Sequence, residues 1–239
     1  DPGASRALRA RFRAWHGLAC CGQALALRTG GGLVFSGVYR YERPRVAWLL
    51  QDADVLALNY GLHYRAAEDG AYGRDMAALL AQLQREAPTA GALGRGVTVV
   101  VRETSAQHFE GTGSYTAGAE KAARCGCWAH AGKVARTNAI ARLNAVLRHA
   151  LDRASRAGPA PALIAFYDVT QPRHDMHNQD DRCGGHSRAG LLQRQQKCCD
   201  CTHLCYTPQL YDVLVERLAA AIVEADAAWG RAPRARRRP

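Results

Sequence analysis

The chain has 239 residues, 48% of them apolar, enough for one generous domain or two small ones around a buried core. Its formal net charge of +11 and pI near 9.5 favour anionic partners, and no window approaches the roughly 20 apolar residues of a membrane-spanning helix. Aromatic residues make up only 7% and are not interleaved with basic ones, so nucleic acid is not expected as a partner.

In chain order, the opening residue is Asp1 and no charged-then-apolar leader follows it. The chain therefore reads as a processed product or a fragment, with a targeting segment or membrane anchor expected upstream. Residues 55–61 (VLALNYG) form the first predicted strand. A helical pattern over 74–85 leads to a second strand at 97–104 (VTVVVRET), and a helix over 134–151, with Ile140, Leu143, Leu147 and Leu151 on one stripe, leads to a third at 162–170 (ALIAFYDVT). The last helix starts with Thr207 as N-cap and Pro208 as first helical residue, and carries Leu210, Val213, Leu214, Leu218, Ala221 and Ile222 along one face. Uninterrupted apolar strands alternating with helices predict an α/β fold: a doubly wound, mostly parallel sheet with helices on both faces. A single domain over 1–229 is expected, followed by a basic disordered tail at 230–239 that contains RAPRARRRP.

Such sheets collect their reactive groups beyond the carboxyl ends of the strands. Polar residues stand there: Asn59 and Gly61 after the first strand, Arg102 to His108 after the second, and Asp168 to His177 after the third.

Nine cysteines point to disulfides or zinc. The stretch CCDCTHLCYTP at 198–208 holds four of them with Asp200 and His203. Cys198, Cys201, His203 and Cys205 offer enough sulfur and nitrogen for one tetrahedral zinc site, and a knuckle built of two separated pairs would draw its second pair from Cys125 and Cys127 or from Cys183 with His186. Disulfides would pair the cluster with Cys125, Cys127 or Cys183, since adjacent cysteines seldom bond to each other. A third reading has Asp200 accept a hydrogen bond from His203 across a tight turn, leaving the other ring nitrogen as a general base.

The stretch DCTHLCYTPQLYDVLVERL resembles the closing motif of the PC-esterase family, the branch of SGNH/GDSL-type hydrolases that includes the trichome-birefringence-like polysaccharide O-acetyltransferases. Asp200, Cys201, His203 and Cys205 match its Asp-Cys-x-His-Trp-Cys-x-Pro pattern, with Leu204 in place of tryptophan and the proline displaced to Pro208. LALNYGLHY resembles the family's Asn-x-Gly block through Asn59 and Gly61, and VRETSAQHFEG its Arg-x-x-Ser-x-x-His-Phe block through Arg102, Ser105, His108 and Phe109. RHDMHNQ resembles the Arg-x-Asp-x-His block through Arg173, Asp175 and His177, although Asn178 stands where a proline often follows. These blocks run in the family's order from about residue 50 to about residue 220. The Gly-Asp-Ser block with the nucleophilic serine has no counterpart: aligning Arg6 with the arginine that follows it puts Gly3 at the serine. Truncation upstream of that block, a homologue without a nucleophile, and Ser5 acting from a neighbouring position all remain open.

The resemblance implies an SGNH-like domain that carries out O-acyl transfer or ester hydrolysis on cell-wall-type polysaccharide through a serine acyl-enzyme. His203 would be the base, Asp200 its orienting carboxylate, and the Asn59 amide and Gly61 N–H the oxyanion donors. It implies no cofactor, acetyl-CoA or an acetylated intermediate as acyl donor, a glycan substrate that is neutral or acidic, and the Golgi lumen or the extracellular space as location. Arg102, His108, Arg173, Asp175 and His177 would bind substrate or brace the loops around the cleft. Two further readings stay open: a non-catalytic polysaccharide-binding homologue, and a zinc-stabilised nucleic-acid-binding protein.

Overall fold

The computed structural model describes residues 23–26, 32–35, 40–64, 67–91, 94–115, 127–178, 200–204 and 207–230. The tail at 231–239, Ser5, Arg6, His186 and Cys20, Cys21, Cys125, Cys183, Cys198, Cys199 and Cys205 lie outside the described residues. Among the described residues, no helix is long and apolar enough to cross a membrane.

The described residues fall into two compact units. In the first, β1 (Gln23–Ala26) and β2 (Gly32–Phe35) form an antiparallel hairpin, with Gln23 opposite Phe35 and Ala26 opposite Gly32. The second, from Arg40 onward, is an α/β structure. It runs through α1 (Arg43–Asp52), β3 (Val55–Asn59), α2 (Asp69–Glu86), β4 (Thr98–Arg102), α3 (Gly132–Thr137), α4 (Ala139–Ala157), β5 (Ala162–Ile164), α5 (Tyr167–Thr170), β6 (His177–Asn178), β7 (Asp200–Leu204) and α6 (Pro208–Ala228).

Strands β3, β4 and β5 make a parallel sheet in that order, with Val55 opposite Thr98, Asn59 opposite Arg102, and Arg102 opposite Ile164. Thr98, Val99, Val100 and Val101 are all fully buried, as a central strand covered on both faces requires. Helix α6 covers one face, setting Ala221 and Ala225, flanked by Leu214, Leu218 and Ile222, against Val100, Ala162 and Ile164. Helices α2 and α4 pack against each other, and the stripe Ile140, Leu143, Leu147 and Leu151 is buried throughout.

Three local expectations are corrected. The helix expected over 134–151 is two helices. Asn138 breaks it, because its side-chain oxygen accepts the Ala141 N–H at 2.8 Å and caps α4. The third strand ends at Ile164, and 167–170 is a helical turn despite Val169 and Thr170. The carboxylate of Glu103, fully buried and paired with Arg148, accepts the Phe166 and Tyr167 N–H groups at 2.9 and 3.0 Å and so holds the start of that turn. Finally, Asp200 to Leu204 is extended, pairing with β6 so that His177 lies opposite Leu204, and is not the tight turn expected there.

Candidate functional site

The carboxyl ends of β3 and β4 are tied into one platform. Asn59 Nδ2 donates to the Arg102 carbonyl at 2.8 Å and to Thr104 Oγ1 at 3.3 Å, while Asn59 Oδ1 accepts from Arg102 Nη2 at 3.2 Å. Thr104 Oγ1 donates in turn to the Tyr60 carbonyl at 2.9 Å, and Asn144 of α4 takes both the N–H and the C=O of Thr104. Gly61 sits against this hydroxyl at φ +132°, where a Cβ would lie 2.6 Å from Thr104 Oγ1. Both the backbone angle and the space therefore demand glycine.

Arg102 closes the end of β4. Its Nη1 donates to Ser105 Oγ at 3.0 Å, and its guanidinium carbon stands 5.1 Å from the centre of the Phe166 ring. Burial pulls its pKa below the usual arginine value, and the Tyr211 phenol opposes that shift.

Behind this platform, His108 and His177 form a buried chain of hydrogen bonds. His108 Nε2 lies 2.7 Å from the Gln171 carbonyl, His108 Nδ1 lies 2.6 Å from His177 Nε2, and His177 Nδ1 lies 2.9 Å from the His203 carbonyl. Both outer nitrogens face carbonyls, which only accept, so each must donate. The inner contact needs a third hydrogen. Burial, seconded by the charges of His177, His130 and His174, lowers the pKa of His108 to about 4 against the raising effect of Gln171. Which of the two rings carries that hydrogen depends on their tautomers. Arg173 and Asp175 instead form an exposed bidentate pair, both bonds at 3.0 Å, which draws the carboxyl below its usual range and braces their own 3₁₀ turn at 174–176.

Strand β7 is pinned beside this pair. Cys201 is disulfide-bonded to Cys127, which removes its sulfur from the zinc set considered above. The His108 N–H donates to the Cys201 carbonyl at 3.0 Å, the Trp128 N–H to the His108 carbonyl at 2.8 Å, and Gln107 Nε2 to Thr202 Oγ1 at 3.0 Å. Leu204 packs against the buried cluster formed by Phe166, Met176 and Leu210. His203 is exposed, and the pKa of His63, in the loop following β3, is lowered by burial first and by its electrostatic interaction with His203 second. Asp200 opens the strand, and its side chain lies outside the described residues. Among the described residues, no group of three or more His, Cys, Asp or Glu side chains could hold a metal ion.

Of the predicted residues, Asn59, Gly61 and Arg102 meet at the sheet end, and His108 and His177 meet behind β7, while Arg173 and Asp175 pair with each other. Sequence reasoning placed Glu103, Thr104 and Gln171 only within the polar stretches after the strands, without a role, and missed Asn144. Glu103 and Thr104 stood inside the predicted second strand as ordinary end residues, Asn144 lay between apolar helix positions, and Gln171 acts through its carbonyl, which has no signature in residue type. Compared with known proteins, the chain matches no protein-family model and no curated sequence.

Proposed function

We propose that this chain serves acyl chemistry of the PC-esterase type in an SGNH-like fold, as an O-acyltransferase or acylesterase acting on polysaccharide. The observation that carries the reading is a convergence. Blocks resembling that family's, far apart in sequence, meet through the bond from His177 to the His203 carbonyl and the contact of His108 with His177. In this reading His203 takes the proton of a serine nucleophile and returns it to the leaving oxygen. The Gly61 N–H and the Asn59 amide receive the oxyanion, which would replace the long 3.3 Å contact from Asn59 to Thr104. No cofactor is required, the acyl donor being acetyl-CoA or an acetylated intermediate. The Cys127–Cys201 disulfide supports a lumenal or extracellular setting.

The test is release of p-nitrophenol from p-nitrophenyl acetate by the protein carrying its serine block. His203→Ala lowers the rate by about a thousandfold or more while leaving the unfolding midpoint in place. Undiminished turnover would remove His203 from the chemistry. A second reading, a polysaccharide-binding homologue without a nucleophile, is favoured by the absence of Gly-Asp-Ser from the 239 residues. It requires that no ester is turned over and that glycan binding persists.

A further inference from the structure

We propose that Arg102 and Ser105 form an anion subsite at the carboxyl end of the central strand, and that its ligand is the carboxylate of an acidic sugar. The sugar class rests on the carbohydrate reading above, whereas the anion site rests on the geometry alone. Arg40, Arg142, Arg148, Arg173 and Arg217 are each paired with a carboxylate, on Glu68, Asp69, Glu103, Asp175 and Asp168 respectively. Arg102, half-buried at the mouth of the sheet, has no such partner among the described residues. Its contacts are the Ser105 hydroxyl, the Asn59 side-chain oxygen and the Phe166 ring, all of them neutral. A cation drawn out of water without a counter-charge is costly, as the lowered pKa of Arg102 reflects. A bound anion would relieve that cost.

The donors are available. A guanidinium carries five N–H hydrogens in a planar fork, and the contacts to Ser105 and Asn59 use one on each terminal nitrogen. The Nε–H makes no hydrogen bond among the described residues, which leaves it for a ligand. Ser105 Oγ accepts from Arg102, which leaves its own hydrogen free to point at the same anion. A planar carboxylate matches the fork in shape, with one oxygen on the guanidinium and the other within reach of the hydroxyl. The position suits a substrate group. Phe166, beneath the guanidinium, belongs to the buried cluster on which Leu204, the neighbour of His203 in β7, also packs, so one apolar cluster links Arg102 to the strand assigned to the acyl chemistry.

The experiment titrates the full chain with sodium glucuronate, glucose, sodium acetate and inorganic phosphate, reading binding by ligand-observed NMR and calorimetry. Glucuronate binds, glucose binds at least about tenfold more weakly, and Arg102→Gln removes that preference, tenfold corresponding to 1.4 kcal/mol. Ser105→Ala, which leaves the Arg102 contacts to Asn59 and Phe166 intact, weakens glucuronate by a few-fold and keeps the inference testable if Arg102→Gln fails to fold. Equal binding of glucose and glucuronate, or a preference unchanged in both variants, overturns the subsite. Phosphate binding more tightly than glucuronate overturns the carboxylate assignment. Acetate binding as tightly as glucuronate overturns the sugar. Because binding is read without turnover, a protein that fails to hydrolyse acetyl esters yet prefers glucuronate refutes the acyl reading alone.

Discussion

At the scale of single residues, the most consequential group is His108, a ring with 1% exposure and carbonyl, imidazole and backbone partners on every side. Burial holds its pKa near 4, below the ordinary value of 6.5. Because the folded value is the lower one, the unfolded chain takes up this proton first as pH falls. The stability His108 contributes is complete above about pH 6.5 and is lost as pH falls toward 4, an effect of roughly 3 kcal/mol. Urea unfolding of the wild type should therefore show a midpoint that declines steadily through this window, and His108→Gln should flatten the decline. A wild-type midpoint independent of pH, or an identical slope in the variant, would contradict the assignment. The sequence marked both histidines as candidates, but it offered no means of pairing them, since they lie 69 positions apart and the contact is made by the fold.

At the scale of elements, what could be read followed burial. Strand β4 announced itself because a parallel strand covered on both faces is a run of apolar residues, as in Thr98–Arg102, whereas β3 lies at the sheet edge with Val55 and Ala57 exposed and was legible from its apolar composition alone. The stripe along α4 and the Thr207–Pro208 start of α6 were equally open, being encoded by neighbours in sequence. What could not be read was decided by distant partners. Tyr167–Thr170 is helical because Glu103 holds its first N–H groups, and Asp200–Leu204 is extended because β6 pairs with it. The β1–β2 hairpin and α1 escaped notice because neither shows clear apolar periodicity. Strand β7 also depends on its covalent tie. The Cys127–Cys201 bond closes a span of 74 residues, for which a native disulfide contributes about 2–5 kcal/mol. The double variant Cys127→Ala/Cys201→Ala should lose stability of that order in denaturant unfolding. Amide exchange at His108 and Trp128, whose N–H groups bond to Cys201 and His108, should quicken before exchange in β4 does. Superimposable unfolding curves would show that the ladder holds β7 without the bond.

For the whole molecule, the question is whether its positive charge acts diffusely or through a site. The sequence carries +11, of which the arginines of RAPRARRRP supply five, so removing residues 231–239 leaves 11 − 5 = +6. Charge spread over exposed residues attracts polyanions at long range and is screened over a Debye length of about 8 Å at physiological salt. A guanidinium half-buried at the end of a strand acts on one ligand group through directed hydrogen bonds and is screened far less. The two contributions therefore separate under truncation and salt. Deleting 231–239 should bring the protein off a heparin column at lower salt and weaken its binding to long acidic polysaccharides, while leaving the affinity for monomeric glucuronate within about twofold of the full chain. Raising the salt should erode polysaccharide binding steeply and glucuronate binding only gently. If truncation weakens the monomer and the polymer in parallel, recognition lies in the tail, and the carboxyl end of the sheet has no part in choosing acidic glycans.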